Sequence, residues 1–130
     1  MATADSPTLR PLDALERTIR ERADALRTGT TIEKSWTTKL LAGELAMISG
    51  KVTEEAGEFI QAAAEVEADN TPASRAHFIA EAGDLLYHAL VLLRREGVDL
   101  AEVETELARR FGVSGIDEKA SRKGTTDAHG

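Results

Sequence analysis

Apolar residues recur at steps of three and four along most of the chain, the period of helices with one buried side. From Pro11, the residues Leu12, Leu15, Ile19, Ala23 and Leu26 trace one such stripe, which ends before Gly29. Pro11 suits a first helical turn, where a missing N–H goes unneeded, and a glycine suits the stop. Residues 28–34 form a short polar loop. Ser35 is a fit N-cap for a brief helix bearing Trp36, Leu40 and Leu41, with Gly43 as its end. A long helix is predicted from about Glu44 to Ala68, with Val52, Phe59, Ala63 and Val66 along one stripe. Asp69-Asn70-Thr71-Pro72 then breaks the pattern with turn residues, an N-cap threonine and a proline at the first helical position. The next helix runs to about Glu96, closes at Gly97, and has Phe78, Leu85 and Leu92 as its stripe. Its second half, LLYHALVLL, is apolar nearly all the way round. That predicts burial on several sides and, in so small a chain, an obligate interface between copies. Asp99-x-x-Glu102 reads as a capping box opening a last helix through about Arg110. Strand signals are almost absent, so the fold class is all-α, a bundle of four to five helices completed by oligomerisation.

The polar positions of the two central helices are not spread evenly. Glu54-Glu55-x-x-Glu58 lies on the first and Glu81-x-x-Asp84 on the second. At 100° per residue, Glu55 falls about 60° from the centre of its stripe, Lys51 about 100°, Glu58 about 120° and Glu54 about 160°. Glu81, Asp84 and His88 fall within roughly 100° of the second stripe, on one side of it. Packing the stripes together would gather four or five carboxylates at the margin of an apolar core. Clustered anions repel, and burying them is unfavourable. A hard divalent cation with oxygen ligands relieves both, and Mg²⁺ typically takes a few carboxylates together with waters and substrate phosphates. Gly50 and Gly57 interrupt the first acidic helix, each unfavourable by roughly 1 kcal/mol against alanine, and close helix packing is the expected reason, ahead of a bend near the site.

Composition narrows the chemistry. Sixteen basic against 23 acidic residues leave a net charge of −7 on 130 residues, which speaks against general nucleic-acid or anionic-membrane binding. With no cysteine, thiolate metal sites, disulfides and cysteine nucleophiles are excluded. No run of consecutive apolar residues approaches the roughly 18–20 of a membrane span, and no signal-peptide pattern opens the chain, so a soluble cytoplasmic protein is expected. One domain over residues 10–112 fits this length, with residues 1–9 as a disordered leader and residues 113–130 as a basic and polar tail, disordered at its end. A di-iron or di-manganese bundle site would show Glu-x-x-His pairs, and none of His77, His88 and His129 has a glutamate three residues before it. A glycosidase would need a sugar cleft for which this chain is a poor host. Metal-assisted cleavage of a polyphosphate remains the best use of the cluster. His88, four residues after Asp84, is suited to hydrogen-bond that carboxylate and position it.

KVTEEAGEFIQAA followed by EAGDLLYHALVLLRREGVDLAEVETELARR resembles the phosphoribosyl-ATP pyrophosphatases of histidine biosynthesis, within the all-α, MazG-type nucleotide pyrophosphohydrolases. SWTTKLL and SGIDEKASR are similar to segments on either side of that family's motifs, so the likeness spans roughly residues 12–123. Thr53 and Gly57 depart from the family's usual residues without touching a carboxylate position. The resemblance implies hydrolysis of the α–β phosphoanhydride of phosphoribosyl-ATP, giving phosphoribosyl-AMP and pyrophosphate. It implies that Glu55, Glu58, Glu81 and Asp84 hold Mg²⁺, with Glu54 joining a second metal or orienting the attacking water. Lys39, Lys51, Lys119 and Arg122 would then meet the substrate phosphates. The apolar perimeter of the LLYHALVLL helix separately points to a homo-oligomer, most simply a dimer. Two other functions share parts of this pattern. A house-cleaning nucleoside triphosphate pyrophosphohydrolase would use the same metal site, and a non-enzymatic helical dimerisation module would explain the apolar helix but leave the carboxylates without a role.

Overall fold

The computed structural model describes residues 9–30 and 35–111, and these contain five helices and no strand. They are α1 (Pro11–Thr28), α2 (Trp36–Ala42), α3 (Leu45–Ala68), α4 (Pro72–Arg95) and α5 (Leu100–Arg110). Their bounds agree closely with the boundaries read from local signals. Gly29 closes α1 at φ 80°, a backbone conformation that only glycine adopts freely, and its N–H returns to the carbonyls of Ala25 and Leu26. Ser35 caps α2 by accepting from the Thr38 N–H at 3.2 Å. Gly43 ends α2 for a different reason. Its φ of −81° is open to any residue, but an added Cβ would lie 2.9 Å from the Met47 sulfur and 3.2 Å from the Lys39 carbonyl. Thr71 and Ser74 cap α4 reciprocally, each side chain accepting the other's N–H at 3.0 Å.

Helices α1 to α4 form one unit; α5 belongs to a second. Within the first unit α4 is the common partner, touching α1, α2 and above all α3. The helices α3 and α4, joined by Asp69–Thr71, run antiparallel, since Phe59 stacks on Phe78 with ring centres 5.1 Å apart while Glu65 meets His77 nearer the turn. Ile19, Leu40, Ile48, Ala62, Leu90 and Val91 are the buried apolar residues. His88 and Leu90 face widely separated directions on α4 yet are both buried, as expected of a helix packed on several sides. The end of α4 is tied to the end of α2, where the Arg95 guanidinium donates to the Gly43 carbonyl at 3.2 Å. In the second unit, α5 opens on the expected capping box, the Asp99 N–H donating to the Glu102 carboxylate at 3.1 Å.

Three expectations need correction. The most buried line of α3 runs through Ile48, Glu55 and Ala62, whereas Val52, Phe59, Ala63 and Val66 are only half-buried. The core therefore lies about 50° round the helix from the apolar stripe, on the side of the carboxylates, because α3 packs against α2 as well as α4. Close packing does not explain Gly50 or Gly57, since a Cβ at either would meet nothing within 4 Å. Finally, α4 is by length and composition apolar enough to cross a membrane. Counting consecutive apolar residues overlooks it, because its charged residues sit apart from one another. Within its unit it packs against three other helices.

Candidate active site

One face of the α3–α4 hairpin carries the acidic residues. Glu55 and Glu58 are one turn apart on α3, and Glu81 and Asp84 are one turn apart on α4. One carboxylate oxygen from each of Glu55, Glu81 and Asp84 lies within 4.8 Å of the others. Glu55 is only 6% exposed, against the expectation of a marginal position. Its Oε1, and the Oε1 of Glu81, are buried without a hydrogen-bond partner. A buried carboxylate oxygen with no donor is strongly disfavoured. Glu58 stands outside that three-residue cluster but close enough to Glu55 and Glu81 to feel their charges. Partial loss of water, and then the negative charges of Glu55 and Glu81, push its carboxyl above the ordinary range. The set thus gathers negative charge and includes two buried oxygens without a donor. An all-oxygen set of this kind fits a hard divalent cation.

The flanking groups fall into two sets. On one side Lys51 binds Glu54 at 3.2 Å and approaches Glu55 at 3.9 Å. The bond to Glu54 chiefly, with Glu55 and Glu58 adding, holds its ammonium above the usual lysine value. Glu54 itself faces solvent, its side chain 52% exposed. On the other side His77 bridges the hairpin, meeting Glu65 at 3.1 Å through Nδ1 and Glu81 at 3.0 Å through Nε2. The contact with Glu65 first, and that with Glu81 next among the favourable ones, raises its pKa. Sequence reasoning passed over His77. Its one local signal was the i, i+4 spacing to Glu81, since the Glu65 partner comes from the neighbouring helix.

The expected role of His88 is corrected. Its Nδ1–H donates to the main-chain carbonyl of Asp84 at 2.9 Å, so it does not hold that carboxylate. Its Nε2 accepts from the Trp36 indole N–H at 3.3 Å. On a helix the residue four positions back offers its carbonyl directly beneath, closer than its side chain. Lys39 is exposed on the last turn of α2. Lys119 and Arg122 lie outside the described residues.

The sequence profile of the phosphoribosyl-ATP pyrophosphohydrolase family matches residues 12–111. The chain belongs to that family. It is 48% identical over 92% of its length to a phosphoribosyl-ATP pyrophosphatase of Rhodopirellula baltica, and covers 92% of that protein. A phosphoribosyl-ATP pyrophosphatase of Paracoccus denitrificans is 50% identical over 76% of the chain, with 85% of the relative covered. One from Dinoroseobacter shibae is 47% identical over 85% of the chain and is covered over 97%. The family match takes in both acidic motifs, Lys39, Lys51, His77 and His88, while Lys119 and Arg122 fall beyond it.

Proposed function

We propose that this chain hydrolyses phosphoribosyl-ATP to phosphoribosyl-AMP and pyrophosphate, a step of histidine biosynthesis, with Mg²⁺ held by Glu55, Glu58, Glu81 and Asp84. Family membership and the names of the relatives support the reaction. What carries the metal assignment is the convergence of one carboxylate oxygen each from Glu55, Glu81 and Asp84 within 4.8 Å, with Glu55 and Glu81 each also bearing a buried, partnerless oxygen. These residues would hold Mg²⁺, which would supply charge neutralisation for the polyphosphate and a more acidic water.

The chain's own groups divide the remaining work. Glu55 and Glu81 hold their places through opposite neighbours, Lys51 for the first and His77 for the second. Glu54, exposed beside them, orients the attacking water or takes its proton. Lys51 carries a positive charge at the edge of an otherwise negative site, and with Lys39 it meets the substrate phosphates. Lys119 and Arg122 of the tail add further positive charge. Ile60 and Ile79 are two-thirds exposed and Leu86 about half, which suits a homodimer covering the outer sides of α3 and α4. The setting is cytoplasmic, with a nucleotide as partner and no nucleic acid or membrane, in keeping with a charge of −7.

The decisive assay supplies phosphoribosyl-ATP and ordinary nucleoside triphosphates, each with and without Mg²⁺, and measures pyrophosphate. Release from phosphoribosyl-ATP only when Mg²⁺ is present is the expected result. Preference for a common or damaged triphosphate would instead make this a house-cleaning hydrolase. No release from any of them would leave a helical dimerisation module.

A further inference from the structure

We infer that Trp36, the chain's only tryptophan, is the wall on which the purine base of the substrate stacks, and that His88 is the residue that positions it. The inference rests on the nucleotide reading above and adds the part of the site that recognises the base. Three observations carry it. First, Trp36 remains 45% exposed although it opens a helix whose Leu40 is fully buried. An indole left in water needs a reason, since burial of so large a ring is strongly favourable.

Second, the indole is held and not merely left out. The Asp84 carbonyl can only accept, so His88 must carry its proton on Nδ1, which leaves Nε2 to accept the indole N–H. The imidazole making both bonds is only 6% exposed. The next residue, Thr37, is hydrogen-bonded to the Tyr87 hydroxyl, so the first turn of α2 is pinned to α4 by two adjacent side chains. A buried histidine is thus spent on fixing an exposed ring, which is how a stacking surface is kept ready before its ligand arrives.

Third, the ring stands beside the proposed phosphate site. The Lys51 ammonium lies 5.8 Å from the centre of the indole and 3.9 Å from the Glu55 carboxylate. One cation therefore touches both the aromatic surface and the ligand cluster. A nucleotide with its phosphates at the carboxylates places its base about one ribose away, in the direction of Trp36. Aromatic stacking accepts any base face, so this wall supplies affinity for a purine ring, while the phosphates align at the carboxylates.

Because Trp36 is the sole tryptophan, its fluorescence reports on this place alone. AMP added to the wild-type protein should quench the emission saturably, and inorganic pyrophosphate should not. Kinetically, Trp36→Leu should raise KM for phosphoribosyl-ATP by roughly tenfold to a hundredfold. The kcat should stay within about threefold, and Trp36→Phe should restore most of the loss. Emission indifferent to AMP would overturn the inference, and so would a Trp36→Leu variant whose KM is unchanged or whose defect lies in kcat. The two readings fail separately. A wild-type protein that binds AMP at Trp36 but releases no pyrophosphate would refute the reaction and keep the base wall.

Discussion

Glu55 occupies the position on α3 that an apolar residue would fill if stability alone were at stake. The consequence can be measured. Replacing Glu55 or Glu81 with glutamine keeps the shape and removes a charge, and should lower turnover by roughly a hundredfold or more as alignment of phosphates and water is lost. Without metal, each variant should melt no lower than the wild type, since one repulsive anion has gone. With Mg²⁺ at a hundred times its Kd the wild type should gain about 2.7 kcal/mol, and the variants most of that less. Calorimetry and turnover on the same preparations check all three outcomes, and unchanged turnover would return these residues to ordinary structural charges. Gly57 makes a contrasting case. It is helical, exposed and has open space where a Cβ would go. Gly57→Ala should therefore stabilise the fold by about 0.5–1 kcal/mol in a urea titration. A loss of stability would mean that a second copy fills that space.

At the scale of the element, the helices were legible because their ends are written in neighbouring residues. Ser35, Thr71 with Pro72, and Asp99 with Glu102 are local signals, and each stands at the helix start that it predicted. Which face of a helix turns inward is not local. Hydrophobic periodicity located the stripe of α3 through Val52 and Phe59, but contact with two partner helices drew the centre of burial to Glu55. The acidic cluster could be read because its residues pair one turn apart within a helix. His77 with Glu65 and Trp36 with His88 span different helices, and nothing in their spacing announces them. The short α5 offers a test of its own. Hydrogen bonds from Arg109 and Arg110 lower the Glu106 carboxyl to about 2. A depressed carboxyl stabilises the fold above its unfolded value of about 4.5 and loses that contribution as pH falls toward 2. Amide protection in the last turn of α5, corrected for intrinsic exchange, should decline across that window. Glu106→Gln should abolish the decline.

For the whole molecule, the small number of fully buried apolar side chains is telling. Ile60, Ile79 and Leu86 stay largely open on the same two helices that hold the acidic cluster. Covering them by a second copy would add apolar burial that the isolated chain lacks. Light scattering at micromolar concentration should give at least twice the 14.0 kDa chain mass. A monomer mass would leave these residues as ordinary surface.

The antiparallel pairing of α3 with α4 has a further consequence for the order in which parts of the molecule come and go. Every carboxylate of the cluster belongs to this one hairpin, whose connection is the short Asp69–Thr71 segment. Bringing the oxygens together requires closing only that short loop, a small entropic demand compared with docking α1 against α4 across the 43 residues between them. A fluctuation that lifts α1 away leaves the oxygen set in register. The carboxylates thus sit in the most locally determined part of the chain and outlast partial openings elsewhere in it.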